Sequence, residues 1–185
     1  MNESARRRLL EIARASAEAA AQGRPLPKVQ EAEPELQGKQ GCFVTLKNGG
    51  MLRGCLGNFI SSKPLYKLVN EMARASATDD PRFYSHPIKP DELSHLTIEI
   101  SVLSPLERIK NPLDIELGKH GIYIRRGYAA GCFLPQVATE TGWDLPTFLS
   151  QLSRKAGLDG DAWRQGATFE VFTAQVFGEE HSPAH

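Results

Sequence analysis

The 185-residue chain has no excess charge of either sign, no long apolar run and no paired cysteines. Lys plus Arg and Asp plus Glu both number 22, so a chain-wide basic footprint of the kind that holds duplex nucleic acid is excluded, while local basic patches stay open. The three cysteines, Cys42, Cys55 and Cys132, are an odd number and lack zinc-site spacing, which argues against a disulfide framework and for a reducing, cytoplasmic setting. No segment approaches the roughly 20 apolar residues that span a bilayer, so no membrane is expected. The amino terminus lacks the apolar core of a secretory signal, and Glu3, Glu11 and Glu18 oppose a transit peptide. A phosphate loop and an obvious catalytic triad are also missing, and neither a metal nor a cofactor is expected.

Periodicity supplies the elements. Ser4 can cap a helix to about Gln22, with Leu9, Ile12, Ala13 and Ala17 on one face and Gly23 as its stop, and residues 24–39 read as a Pro-rich connector. Residues 41–47 and 51–58 form two β-rich runs around Asn48-Gly49-Gly50, a hairpin signal. Either two-residue loop that this triplet allows puts Cys42 and Cys55 on one face of the hairpin. Ser61 or Ser62 can cap a helix from Pro64, carrying Leu65, Leu68, Val69 and Met72, which Asp79-Asp80-Pro81 ends. A strand over 96–103 alternates Leu96, Ile98, Ile100 and Val102 against Thr97, Glu99 and Ser101. A second hairpin joins 122–126 to 131–134, a short helix follows from Pro135, and Asp144 caps a helix over 145–156. A last strand runs from Thr168 to Phe177. Helices and strands interleave without a βαβ repeat, so the fold class is α+β, with largely antiparallel sheets and flanking helices.

The chemistry centres on Leu52-Arg53-Gly54-Cys55-Leu56-Gly57. Gly54 and Gly57 remove side-chain bulk near Cys55, which lets a substrate or a second backbone approach the sulfur. Arg53, two residues away, would lie on the same strand face, where its charge favours a thiolate or holds an anionic substrate group. The alternative is a packed, inert thiol. His120, in a turn entering a strand, is the candidate base if it is not simply a solvated loop residue, and Glu99 is either solvated or a cleft carboxylate. Arg82 either forks onto a phosphate or carboxylate, or pairs with Asp79 or Asp80 to fix its loop. Arg125-Arg126 with Tyr128 is a basic-aromatic cluster or a hairpin's solvated edge, and Trp143 and Trp163 read as packing anchors.

The runs Val44-Thr45-Leu46-Lys47, Leu52-Arg53-Gly54-Cys55, Asp80-Pro81-Arg82-Phe83, Ile98 through Leu103, His120-Gly121-Ile122, Leu134-Pro135-Gln136-Val137, Gly142-Trp143-Asp144 and Arg154 through Leu158 occur in one order. With them the chain resembles the AMMECR family, whose prokaryotic members are called AmmeMemoRadiSam system protein A. The resemblance implies a single domain over 5–178, with a larger and a smaller lobe and the Arg-Gly-Cys segment near the cleft between them. Residues 179–185 are expected as a flexible tail holding His181 and His185. The resemblance further implies a Memo-like protein and a radical SAM protein as partners, and a nucleotide or nucleic acid as ligand. Three classes follow: a thiol-dependent enzyme modifying a nucleobase, peptide or small metabolite, a binding module for nucleotide, peptide or nucleic acid, and an interaction scaffold. In the enzyme, Cys55, His120 and Glu99 are catalytic, and Arg53, Gly54, Gly57 and Arg82 bind substrate.

Overall fold

Glycine at two consecutive positive-φ positions decides the first turn. Gly49 (φ 58°) and Gly50 (φ 81°) adopt the left-handed backbone that a tight hairpin loop needs and that glycine tolerates without strain. They join β1 (Cys42–Asn48) to β2 (Met51–Asn58), with Asn48 opposite Met51. The computed structural model of the protein describes residues 1–179.

The chain forms two compact units. The first comprises Met1–Leu103 with the segment from Gln175, and the second Ser104–Ala174. In the first, α1 (Glu3–Ala21) and α2 (Leu65–Thr78) cover one face of a sheet ordered β2-β1-β3-β8, where β3 is Leu96–Leu103 and β8 Ala174–Gly178. The expected helical stripes supply this core: Leu9, Ile12, Ala13 and Ala17 from α1 and Leu65, Leu68 and Val69 from α2 meet Cys42, Val44, Leu46, Ile98 and Ile100. In the second, β4 (Glu107–Ile109), β7 (Thr168–Phe172), β5 (Gly121–Arg126) and β6 (Ala129–Phe133) form an antiparallel sheet. The short α3 (Pro135–Thr141) and α4 (Leu145–Lys155) complete this unit, and Phe148, Leu149, Leu152 and Trp163 pack on Ile122, Ile124, Phe169 and Val171. The fold is α+β, and Trp143 and Trp163 are packing residues.

Several local expectations are corrected. Asn2, not Ser4, caps α1, accepting the Ala5 N–H at 2.8 Å. Neither Ser61 nor Ser62 caps α2, whose N-cap is Pro64 with no side-chain hydrogen bond, and Ser61 instead accepts the Lys63 N–H. The run 168–177 is not one strand. Thr173 interrupts it, β7 and β8 enter different sheets, and the break is held by Ser104, which donates its N–H to the Thr173 carbonyl and accepts the Thr173 N–H. The tail expected over 179–185 lies outside the described residues except for Glu179, whose carboxylate binds Arg14 and accepts the Ile98 N–H at 3.0 Å.

The hairpin register is the largest correction. Lys47 pairs with Leu52 but Leu46 pairs with Gly54, so Arg53 is an extra residue, a β-bulge. A one-residue shift turns every later side chain to the opposite face. Cys55 therefore faces Thr45, whereas Cys42 faces the core, and the two thiols lie on opposite faces of the sheet.

Candidate functional site

The bulge puts Cys55 on the sheet face that α1 and α2 leave open. A cross-strand row runs from Cys55 on β2 to Thr45 on β1 and on to Glu99 on β3. The Thr45 hydroxyl donates to the Cys55 Sγ at 3.2 Å. Cys55 is half-buried, unlike Cys42 and Cys132, which are enclosed and whose thiols are both pushed up to about 12 by burial, Lys155 opposing the rise at Cys132. Glu99 keeps partial exposure and pairs with Lys47 at 3.6 Å on the same face.

Because β2 is an edge strand, the backbone of Cys55 points out of the sheet, and an ion pair occupies that edge. The Cys55 N–H donates to Asp80 Oδ2 at 3.0 Å, and Arg82 Nη2 donates to the Cys55 carbonyl at 3.3 Å. Arg82 also forks onto Asp80, Nε to Oδ1 at 3.0 Å and Nη2 to Oδ2 at 2.7 Å. The pair thus stands in for a neighbouring strand and leaves the cysteine's backbone fully bonded. The Asp80 side chain is 2% exposed and that of Arg82 57%, so the carboxylate is structural and the guanidinium remains open to solvent. The Arg82 fork, assisted by the N–H groups of Cys55 and Arg82, holds the Asp80 carboxyl at about 2, below its ordinary 3.8, against the opposing pull of burial. Arg82 thus pairs with Asp80 and not with Asp79.

Arg53 is engaged away from the thiol. Its guanidinium binds both oxygens of Glu92 at 2.9 Å and donates to the His86 carbonyl at 3.0 Å, so Arg82, not Arg53, is the cation bonded to Cys55. Arg53, with Asn48 and the Lys89 N–H, holds the Glu92 carboxyl at about 2. Both glycines lie against neighbouring backbone. A Cβ on Gly54 would lie 1.9 Å from the Ser76 carbonyl oxygen, so it is the second backbone, from the last turn of α2, that approaches the strand there. Ser76 also inserts its hydroxyl between β1 and β2, donating to the Val44 carbonyl at 2.7 Å and accepting the Leu56 N–H at 2.9 Å. A Cβ on Gly57 would meet the Cys42 carbonyl oxygen at 2.1 Å and the Phe43 ring at 2.6 Å; the ring covers the glycine across the strand pair.

His120 belongs to the second unit, ahead of β5, and accepts the Glu116 N–H at Nδ1 at 3.0 Å. Arg125 lies over the Tyr123 ring and pairs with Glu170, and Tyr128 is exposed at the hairpin tip. Among the described residues no three His, Cys, Asp or Glu side chains converge as a metal site, and no helix is long and apolar enough to cross a membrane. Sequence reading missed Thr45 and Ser76 and treated Asp80 only as a loop anchor. The Asp-Pro-Arg run was the one local signal available, since an Asp before Pro commonly caps the turn that follows.

The AMMECR1 family model matches residues 10–177. The chain belongs to the AMMECR1 family. It is 38% identical over 183 residues to protein Mbar_A1807 of Methanosarcina barkeri, covering 94% of this chain and 90% of that one. It is 44% identical over 165 residues to protein MK0488 of Methanopyrus kandleri, covering 83% and 79%. The crystal structure of the uncharacterized protein PH0010 from Pyrococcus horikoshii matches this AMMECR1 fold with a TM-score of 0.82 at 37% identity, over 93% of this chain and 90% of that one. The bulged Arg53, the thiol and the Asp80–Arg82 pair all lie inside the matched AMMECR1 segment.

Proposed function

We propose that the open face of the first sheet is a thiol-dependent reaction site, with Cys55 as nucleophile and Arg82 as the group that holds a carboxylate or phosphate of the substrate. The observation that carries this is the Cys55 sulfur, half-buried on the sheet face opposite α1 and α2, bonded by Thr45 and flanked by a cation that a buried aspartate clamps in place. A nucleophile needs approach from one side and a fixed neighbour on the other. In this reading the sulfur bonds to an electrophilic carbon of a peptide, nucleobase or small metabolite, its proton leaves to solvent on the open face, and the leaving group departs from that carbon. Glu99, at the far end of the row, orients the substrate. Three unpaired thiols support a reducing, cytoplasmic setting. The Memo-like and radical SAM proteins that the family resemblance implies are the partners assigned to this site.

Alkylation by a charged and a neutral reagent tests the proposal. Iodoacetate should modify Cys55 faster, relative to iodoacetamide, than it modifies a free cysteine peptide. Arg82→Gln should slow iodoacetate roughly fivefold, equivalent to about 1 kcal/mol of lost attraction, while changing iodoacetamide less than about twofold. Protection of Cys55 from both reagents until the protein unfolds would sink the reaction.

A second reading rests on the guanidiniums of Arg53 and Arg82, which flank the Phe83 ring at 5.9 and 5.6 Å, each clamped by a carboxylate. A rigid cationic-aromatic surface suits a module that binds a nucleotide or an anionic peptide without chemistry. Ligand association that survives Cys55→Ser but not Arg82→Ala would favour it.

A further inference from the structure

The second unit contains a cavity of its own. Its volume is about 490 Å³, inside the range of about 300 to 1,000 Å³ typical of small-molecule sites. Leu106, Val171 and Phe172 give it apolar walls, and Glu107, His120 and Thr173 bring polar atoms. The walls are rigid. Ser104 and Thr173 exchange two hydrogen bonds of 2.8 Å, and a Cβ on Gly121 would lie 2.1 Å from the Phe172 ring, so that ring rests directly on the Gly121 backbone.

Two polar groups in this lining are not consumed by the fold. The Glu107 carboxylate has no ion-pair or hydrogen-bond partner among the described residues. The imidazole of His120 accepts the Glu116 N–H at Nδ1, so in its neutral form it carries its proton at Nε2, a donor without a partner among the described residues. That tautomer follows from the hydrogen bond, because Nδ1 cannot both accept from an amide and hold its own proton. No lysine or arginine lines the cavity, and Glu107 is its one acidic side chain, so the lining favours a cationic ligand over an anionic one.

We propose that this cavity binds an α-amino amide, with its ammonium against Glu107, its carbonyl oxygen on His120 Nε2–H, and an apolar side chain against Leu106. This chemistry is shared by a free amino-acid amide and by the amino terminus of a peptide. Its test does not require any reaction at Cys55.

The test uses the full chain, with leucinamide, the peptide Leu-Gly-Gly and N-acetyl-leucinamide as probes. Leucinamide should bind saturably in calorimetry and shift the His120 Nε2–H resonance in nitrogen-15 spectra. Acetylation of the amine, Glu107→Gln and His120→Gln should each weaken binding about tenfold, the factor expected for one lost polar contact. Tighter binding of Leu-Gly-Gly than of leucinamide would identify a peptide terminus as the ligand, and equal binding a free amide. Absence of saturable binding by both free amines, acetylated probe bound as tightly as leucinamide, or undiminished binding in folded Glu107→Gln would each overturn the proposal.

Discussion

The backbone N–H of Cys55 donates to the carboxylate of Asp80, 25 residues away, at 3.0 Å. Through this bond the one half-buried thiol of the chain is tied to a side chain that is itself locked by Arg82. The geometry of the candidate nucleophile therefore depends on an ion pair belonging to the turn after α2, and disturbing that pair should move the sulfur as well as the loop.

The depressed carboxyls of Asp80 and Glu92 predict how stability responds to acid. Asp80 falls from 3.8 to about 2 on folding and Glu92 from 4.5 to about 2, so both stabilise the fold above pH 4 to 5, and that contribution is lost as pH drops towards 2. Asp80→Asn should cost about 2 kcal/mol at pH 7 and under about 0.5 kcal/mol by pH 2, where the native carboxyl is half protonated. Urea unfolding of both proteins across this range provides the measurement, and a pH-independent difference would contradict the assignment.

Gly54→Ala should destabilise the first unit by about 3 kcal/mol, the upper part of the usual range for overpacking, because the new methyl would meet a backbone oxygen rather than a movable side chain. Chemical denaturation reads this directly. A loss under about 1 kcal/mol would mean that α2 shifts away without difficulty.

Oxidation distinguishes the observed register from either simple hairpin. Since Cys42 and Cys55 face opposite sides of the sheet, a mild oxidant should leave no Cys42–Cys55 disulfide in the native protein, and mass spectrometry after alkylation in denaturant should find the two thiols unlinked. A linked pair formed under native conditions would refute the bulge at Arg53.

Glu179 closes the first sheet by bonding both Arg14 and the Ile98 N–H. Glu179→Ala strips Arg14 of its carboxylate and Ile98 of its acceptor, and should lower stability by about 1 to 3 kcal/mol. Ending the chain at Gly178 should cost at least as much, measured as a drop in Tm.

Much of this architecture was legible in local pattern. The alternation of Leu96, Ile98, Ile100 and Val102 specifies a strand with one apolar face, Gly49-Gly50 a tight turn, and Asp144-Leu145-Pro146 a capped helix start, because each depends on forces between residues within a few positions of one another. The ordered blocks likewise suffice for the family.

Only the folded chain decides which way Cys55 faces and which cation it meets. An extra residue at Arg53 reverses the strand's faces, and nothing in residues 51–58 alone favours a bulge over a regular ladder; the close approach of Ser76 and the pull of Glu92, 39 residues from Arg53, settle it. The split at Thr173 has the same character, since Thr168 to Phe177 alternates as one strand until Ser104 binds its middle residue on both sides. Periodicity thus determines the elements, and the ordered motif blocks the family. Register, ion-pair choice and the open face follow from contacts between segments distant in sequence, whose energies no local pattern encodes.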